Sequence, residues 1–194
     1  MRWHRVTPGT ARRMPWKNGG GTTLELAIEP PGATLEGGFN WRLSSAEVRA
    51  SGPFSRFPGI ERTLLLLAGE GFDLDFGSSR QVVLDEPWVP VCFPGDRAVS
   101  ATLRGGPCVD FNLMVDPVRC RARLEVLRAP GRLCLAPGGH TLMLFIASGT
   151  AVIPALDLHL GQGHLLRVDE AADVLEVVPG YGGVVLIVVS VSAP

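Results

Sequence analysis

Apolar residues in this chain come in runs too short for helices and bounded by glycine. Residues 63–68 (TLLLLA), 141–147 (TLMLFIA) and 184–189 (VVLIVV) are such runs, and their length and glycine borders predict strands covered on both faces. Elsewhere polar and apolar residues alternate with period two. Thr22, Leu24, Leu26 and Ile28 oppose Thr23, Glu25 and Ala27, and Phe72, Leu74 and Phe76 oppose Asp73 and Asp75, so these segments read as half-buried strands. The 24 Gly and 16 Pro supply turns, expected at residues 69–71, 77–79, 94–96, 105–107, 137–139 and 179–183. Residues 116–127, rich in Arg and opened by Asp116-Pro117, suit a helix or a strand equally.

The chain also repeats itself. TLLLLAGEG at Thr63 resembles TLMLFIASG at Thr141, an offset of 141 − 63 = 78. The segment from Phe93-Pro94-Gly95-Asp96 to Met114 finds a counterpart between Arg167-Val168-Asp169 and Val189, an offset of 189 − 114 = 75. A repeat of that size matches one small barrel, so the expected architecture is all-β, with two similar antiparallel barrels of jelly-roll type. Residues 1–118 would form the first and residues 119–194 the second, with a continuous β-sandwich as the alternative.

The two halves differ in polarity. In the strand CVDFNLM, Asp110 and Asn112 share one face while Val109, Phe111 and Leu113 take the other. The corresponding strand of the second half, VVLIVVSV, has no polar side chain before Ser190. A polar pocket is therefore expected in the first barrel.

Composition narrows the function. Net charge is −1, with 18 basic and 19 acidic residues interspersed, which is no footprint for nucleic acid. No apolar run is long enough to cross a bilayer, and the basic N-terminal segment has no signal-peptide core, so a cytoplasmic protein with no membrane partner is expected. Cys92, Cys108, Cys120 and Cys134 are widely spaced and read as free thiols. His4, His140, His159 and His164 are scattered, so no metal-ligand set assembles, and neither a metal nor another cofactor is expected. No G-x-S-x-G, and with it no serine triad, occurs.

Among 18 basic residues Lys17 is the single lysine, and it sits beside Asn18, one of three asparagines, ahead of three glycines in MPWKNGGGTT. The segment suits either a backbone cradle for an anionic or amide group or a plain turn. On the strand at residues 40–46, Asn40, Arg42 and Ser44 share a face opposite Trp41 and Leu43. Arg42 is either a carboxylate fork inside a barrel or a solvent-facing edge charge. The loop GPFSRFPGIER, carrying Ser55, Phe57 and Arg62, reads as a stiff loop of the kind that covers a pocket mouth.

WKNGGGTT, Asn40-Trp41-Arg42-Leu43-Ser44, GPFSRFPGIERTLLLL and Asp110-Phe111-Asn112-Leu113-Met114 occur in an order that resembles the HutD/Ves family. The resemblance spans the first 115 or so positions, and the C-terminal part matches only as an apolar barrel. It implies a bicupin fold, a homodimer and no known catalytic activity. It further implies a role near histidine utilisation, sensing or limiting an intermediate, or a role in cold and stress responses.

With that resemblance, Lys17, Asn18, Arg42, Ser44, Ser55, Phe57, Arg62, Asp110 and Asn112 are expected to line one pocket for a small polar or anionic ligand. Arg42 and Arg62 would take carboxylate oxygens, and Asp110 and Asn112 would accept N–H groups. Urocanate or a formylated or formiminated glutamate fits. The alternatives are a metal-free isomerase or hydrolase with Asp110 as general base, or a protein-interaction module.

Overall fold

Alternation and frequent turns leave little to build but hairpins, and the computed structural model, described over residues 2–77, 80–136, 141–170 and 173–194, consists of strands and one short 3-10 turn. No helix among these residues is long and apolar enough to cross a membrane. The turns expected at 78–79 and 137–139, and His140, lie outside the described residues.

In chain order the strands are β1 (Arg2–Val6), β2 (Arg12–Pro15), β3 (Gly21–Glu29), β4 (Trp41–Val48), β5 (Gly52–Pro53), β6 (Glu61–Ala68), β7 (Phe72–Asp75), β8 (Gln81–Leu84), β9 (Val91–Pro94), β10 (Ser100–Leu103) and β11 (Cys108–Val115). There follow β12 (Arg121–Ala129), β13 (Leu133–Leu135), β14 (Thr141–Ile153), β15 (Leu158–Leu160), β16 (Leu165–Asp169) and β17 (Leu175–Ser192). Where a helix or a strand was open, Asp116 decides. Its Oδ1 accepts from Val118 N at 3.0 Å and its carbonyl from Cys120 N at 3.1 Å, closing a turn from which β12 departs.

Two compact units result. Residues 11–120 form one, and residues 121–193, joined by the N-terminal segment ending at Thr10, form the other. The first ten residues thus belong with the C-terminal half and not with residues 11–118, because β1 pairs with β16 from Arg2↔Asp169 to Val6↔Leu165.

Residues 11–120 make a six-stranded antiparallel sheet in the order β2-β3-β4-β11-β6-β9 and a four-stranded one in the order β5-β10-β7-β8. Leu64, Leu66, Phe72, Leu74, Leu84 and Phe93 from the two sheets share one core. Each fully buried leucine or phenylalanine contributes about 1.5 to 3 kcal/mol over an exposed one.

In the other unit the main sheet runs β1-β16-β14-β17-β12, with β13 on β17 and β15 on β14. Its hydrophobic core is built on Leu144, Ile146, Leu166, Val177 and Leu186, and the buried Asp169 beside it accepts from Arg167 Nε at 2.9 Å. Residues 179–183, expected as a turn, are a bulge inside β17. Pairing passes from Ala151↔Pro179 to Gly149↔Val184, so Gly180 to Gly183 stand against Thr150 alone.

The pairing also relates the two similar segments. Thr63 lies opposite Leu113, and Thr141 lies opposite Val191. These two partners lie 191 − 113 = 78 positions apart, the same spacing as Thr63 and Thr141, and the residues 78 positions after Asp110 and Asn112 are Val188 and Ser190.

Candidate functional site

The polar side chains buried in residues 11–120 converge on β11 and its two neighbours. Opposite Asp110 lie Ala46 of β4 and Leu66 of β6, opposite Asn112 lie Ser44 and Leu64, and opposite Met114 lie Arg42 and Arg62. Residues paired across strands share a sheet face, so Arg42, Ser44, Arg62, Asp110 and Asn112 all point to the side where Leu64, Leu66 and Phe93 form the core. Glu25 of β3 joins them opposite Ser44. Exposure is 4% for Arg42, 7% for Arg62, 5% for Asp110, 8% for Asn112 and 9% for Glu25. Burying so many ionic groups is costly unless they are paired or await a partner.

Arg42 is paired. Its Nε donates to Oε2 of Glu25 at 2.8 Å and its Nη1 to Ser44 Oγ at 3.2 Å. Two further guanidinium contacts go to thioethers, Nη1 reaching Met114 Sδ at 3.9 Å and Nη2 reaching Met14 Sδ at 3.6 Å. Glu25 also receives Arg12 Nη1 at 3.4 Å from the exposed edge strand.

Arg62 is held without a carboxylate. Its guanidinium carbon lies 5.5 Å from the ring centre of Phe54, 5.6 Å from that of Phe57 and 5.1 Å from that of Phe93. Nη1 makes a long bond of 3.4 Å to the Ser55 carbonyl, and Nε is buried with no acceptor. Burial drives this guanidinium down to about 10, and Arg42 pushes the same way against the opposing charge of Asp110.

Asp110 accepts from the backbone N–H of Ala46 at 3.2 Å through Oδ1. Burial lifts its carboxyl to about 7, although Arg62, the Ala46 N–H and Arg42 all pull downward. Beside it, Asn112 Oδ1 is buried and accepts from nothing. The cluster therefore offers an unfilled donor at Arg62 Nε and an unfilled acceptor at Asn112 Oδ1, on the same sheet face as a carboxyl that holds or releases a proton near neutrality.

Lys17 and Asn18 stand apart from this group. Both are exposed in the turn between β2 and β3, where Asn18 Oδ1 accepts from Gly20 N at 3.0 Å. Trp16, closing that turn, donates from Nε1 to Thr23 Oγ1 at 2.8 Å and packs over Gly21, where a Cβ would press on Trp16 and on the Glu47 carbonyl oxygen. Gly21 thus serves strand packing, while Gly19 takes the positive φ of the turn. Ser55 is exposed and contributes its carbonyl, while half-buried Phe57 contributes its ring. Glu25, Phe54, Phe93, Met14 and Met114 belong to the cluster and were not singled out by sequence. Residues 126–133 of the other unit line a groove of about 530 Å³ that holds none of these groups. Among the described residues no three His, Cys, Asp or Glu side chains are placed to share a metal ion.

A family model, HutD, matches residues 9–185. The chain is 43% identical over 138 residues to an uncharacterized 21.2 kDa protein in the hutC 3′ region of Pseudomonas putida, covering 70% of this chain and 69% of that one. It is 36% identical over 142 residues to Protein Ves of Escherichia fergusonii, covering 71% of each. Among solved structures, a conserved protein of unknown function from Pseudomonas aeruginosa PAO1 aligns over 100% of both chains with a TM-score of 0.89 and 31% identity. HutD from Pseudomonas fluorescens SBW25, in a formate condition, aligns over 100% of both with a TM-score of 0.83 and 33% identity. Oxalate decarboxylase of Lactobacillus farciminis aligns over 96% of this chain and 85% of its own at 9% identity and a TM-score of 0.60, a likeness of fold alone.

Proposed function

The chain belongs to the HutD family, and on that premise we propose that residues 11–120 bind a small carboxylate ligand without a metal, as a sensor or regulator linked to histidine utilisation. The observation that carries this reading is the pair of buried atoms without partners, Arg62 Nε and Asn112 Oδ1, in one cluster. Leaving a buried polar atom unpaired costs about 1 to 3 kcal/mol, and a ligand that brings a carboxylate and an N–H recovers it. Arg42, closed by Glu25, positions the cluster, so the carboxylate goes to Arg62. Two buried guanidinium groups repel a cation, which favours an anion over a metal ion in this space. We read the two units as two cupin barrels descended from one repeat, a reading supported by their matching strand registers.

Urocanate, N-formyl-L-glutamate and formiminoglutamate carry the required groups. Calorimetry and thermal melting at millimolar concentration should show binding and a rise in Tm for at least one of them. Flat titrations and unmoved melting with all three would refute the ligand class.

A carboxyl near neutrality in a buried site also favours a second reading, a metal-free isomerase or hydrolase with Asp110 as general base. A rate with metal-stripped protein that is lost in Asp110→Asn at unchanged stability would establish it.

A further inference from the structure

The buried charges of this cluster do not cancel in the way their number suggests. Glu25 and Arg42 close on one another at 2.8 Å. That leaves one cation, Arg62, and one carboxyl, Asp110. Both are more than nine-tenths buried, and no ion pair joins them among the described residues. Each is the leading charge acting on the other. Of the other charged groups near Asp110, Arg42 comes from β4, while Glu25 of β3 is held by Arg42 and by Arg12 of β2. From β9 and the four-stranded sheet the core receives Phe93, Phe72, Leu74 and Leu84, which carry no charge.

Resting on the carboxylate-binding reading above, we propose that a ligand carboxylate and Asp110 compete for Arg62, so that anion binding here takes up one proton. Two carboxylates sharing one guanidinium in a dry site cannot both stay ionised at modest cost, as in any close carboxylate pair. The ligand's carboxylate is the stronger acid, so the proton goes to Asp110. With Asp110 neutral the cluster carries the single positive charge of Arg62 and suits one carboxylate. With Asp110 ionised that charge is already compensated. In the empty protein the Asp110 carboxyl titrates near 7, which places the switch in the physiological range.

The test is calorimetric titration of the full-length chain with formate and with N-formyl-L-glutamate from pH 6 to 9, where neither probe titrates. Affinity should be nearly constant at and below pH 6.5. Above pH 7 the Kd should rise by nearly tenfold per pH unit, about 50-fold between pH 7 and 9. Repeating the titration at pH 8 in buffers of different ionisation enthalpy should count close to one proton taken up per ligand. Asp110→Asn should bind with a flat pH profile and no proton uptake. Should that variant fail to fold, the profile and proton count of the parent still decide. Binding that is independent of pH, with no proton taken up, would overturn the coupling and leave the carboxylate site standing. Absence of binding by both probes at every pH would overturn the site and the coupling together.

Discussion

Arg42 donates from Nε to Glu25 Oε2 at 2.8 Å while both side chains are more than nine-tenths buried, so the arginine that sequence placed at the ligand already has its carboxylate within the protein. Breaking such a pair strands a buried charge, which costs about 3 to 5 kcal/mol, whereas replacing both partners with apolar residues is often neutral or better. Urea denaturation should therefore find Glu25→Ala and Arg42→Ala each strongly destabilising. Glu25→Leu combined with Arg42→Met should be far milder than either single change. Additive losses in that double variant would show that the two do not act as a unit.

Asp110 sets a pH dependence of the opposite sign to that of an ordinary salt-bridged carboxylate. Its folded value, about 7, lies above the usual 3.8, so the native chain holds the proton longer than the unfolded one. Stability from this group is complete below about pH 4, falls as pH rises to about 7, and is flat beyond. At about 1.4 kcal/mol per tenfold change, the interval 7 − 3.8 amounts to roughly 4 kcal/mol. Comparing parent with Asp110→Asn isolates the group from other carboxylates. The variant should gain relative stability steadily from pH 4 to 7, and a difference that is constant with pH would contradict the raised value.

What could be read beforehand follows the period of two. Asp110 and Asn112 share the inward face of β11, and Arg42 and Ser44 that of β4, because both strands pair without interruption across this stretch. Glu25 escaped for a local reason. The register of β3 shifts between Glu25 and Ala27, so Leu26 is the extra residue and both it and Glu25 are buried, where strict alternation sends one outward. Phe93, Met14 and Met114 were invisible as site residues because an apolar side chain beside a guanidinium looks, in sequence, like any core residue. Lys17 and Asn18 drew attention by scarcity, yet Asn18 is explained by the turn that its side chain closes on Gly20. The place of the N-terminal strand is not legible in sequence because no local pattern marks a partner 169 − 2 = 167 positions away, at Asp169 for Arg2.

Arg62 should prove dispensable for folding. It is a desolvated cation that forms no ion pair among the described residues, held by three rings and one long bond with Asp110 as the leading charge acting on it. Arg62→Met keeps the length and the contact with Phe54, Phe57 and Phe93 while removing the charge and the unpaired Nε. Chemical denaturation should place it within about 1 kcal/mol of the parent, or above it. Carboxylate binding should disappear. A loss of several kcal/mol would instead make Arg62 part of the scaffold.

Asn112 offers the sharpest separation of stability from function. Its Oδ1 is buried without a donor among the described residues. A leucine has nearly the same shape, and its neighbour across β6 is already Leu64. Asn112→Leu therefore removes an unsatisfied acceptor and adds apolar burial, and should raise stability by about 1 to 2 kcal/mol. The same change deletes the acceptor for a ligand N–H. Binding of N-formyl-L-glutamate, which has that N–H, should weaken at least tenfold, while formate, which has none, should bind much as it does to the parent. Melting curves of the variant with and without each compound make the comparison in one experiment. If Asn112→Leu loses stability and weakens both ligands alike, Asn112 supports the sheet and the N–H acceptor lies elsewhere.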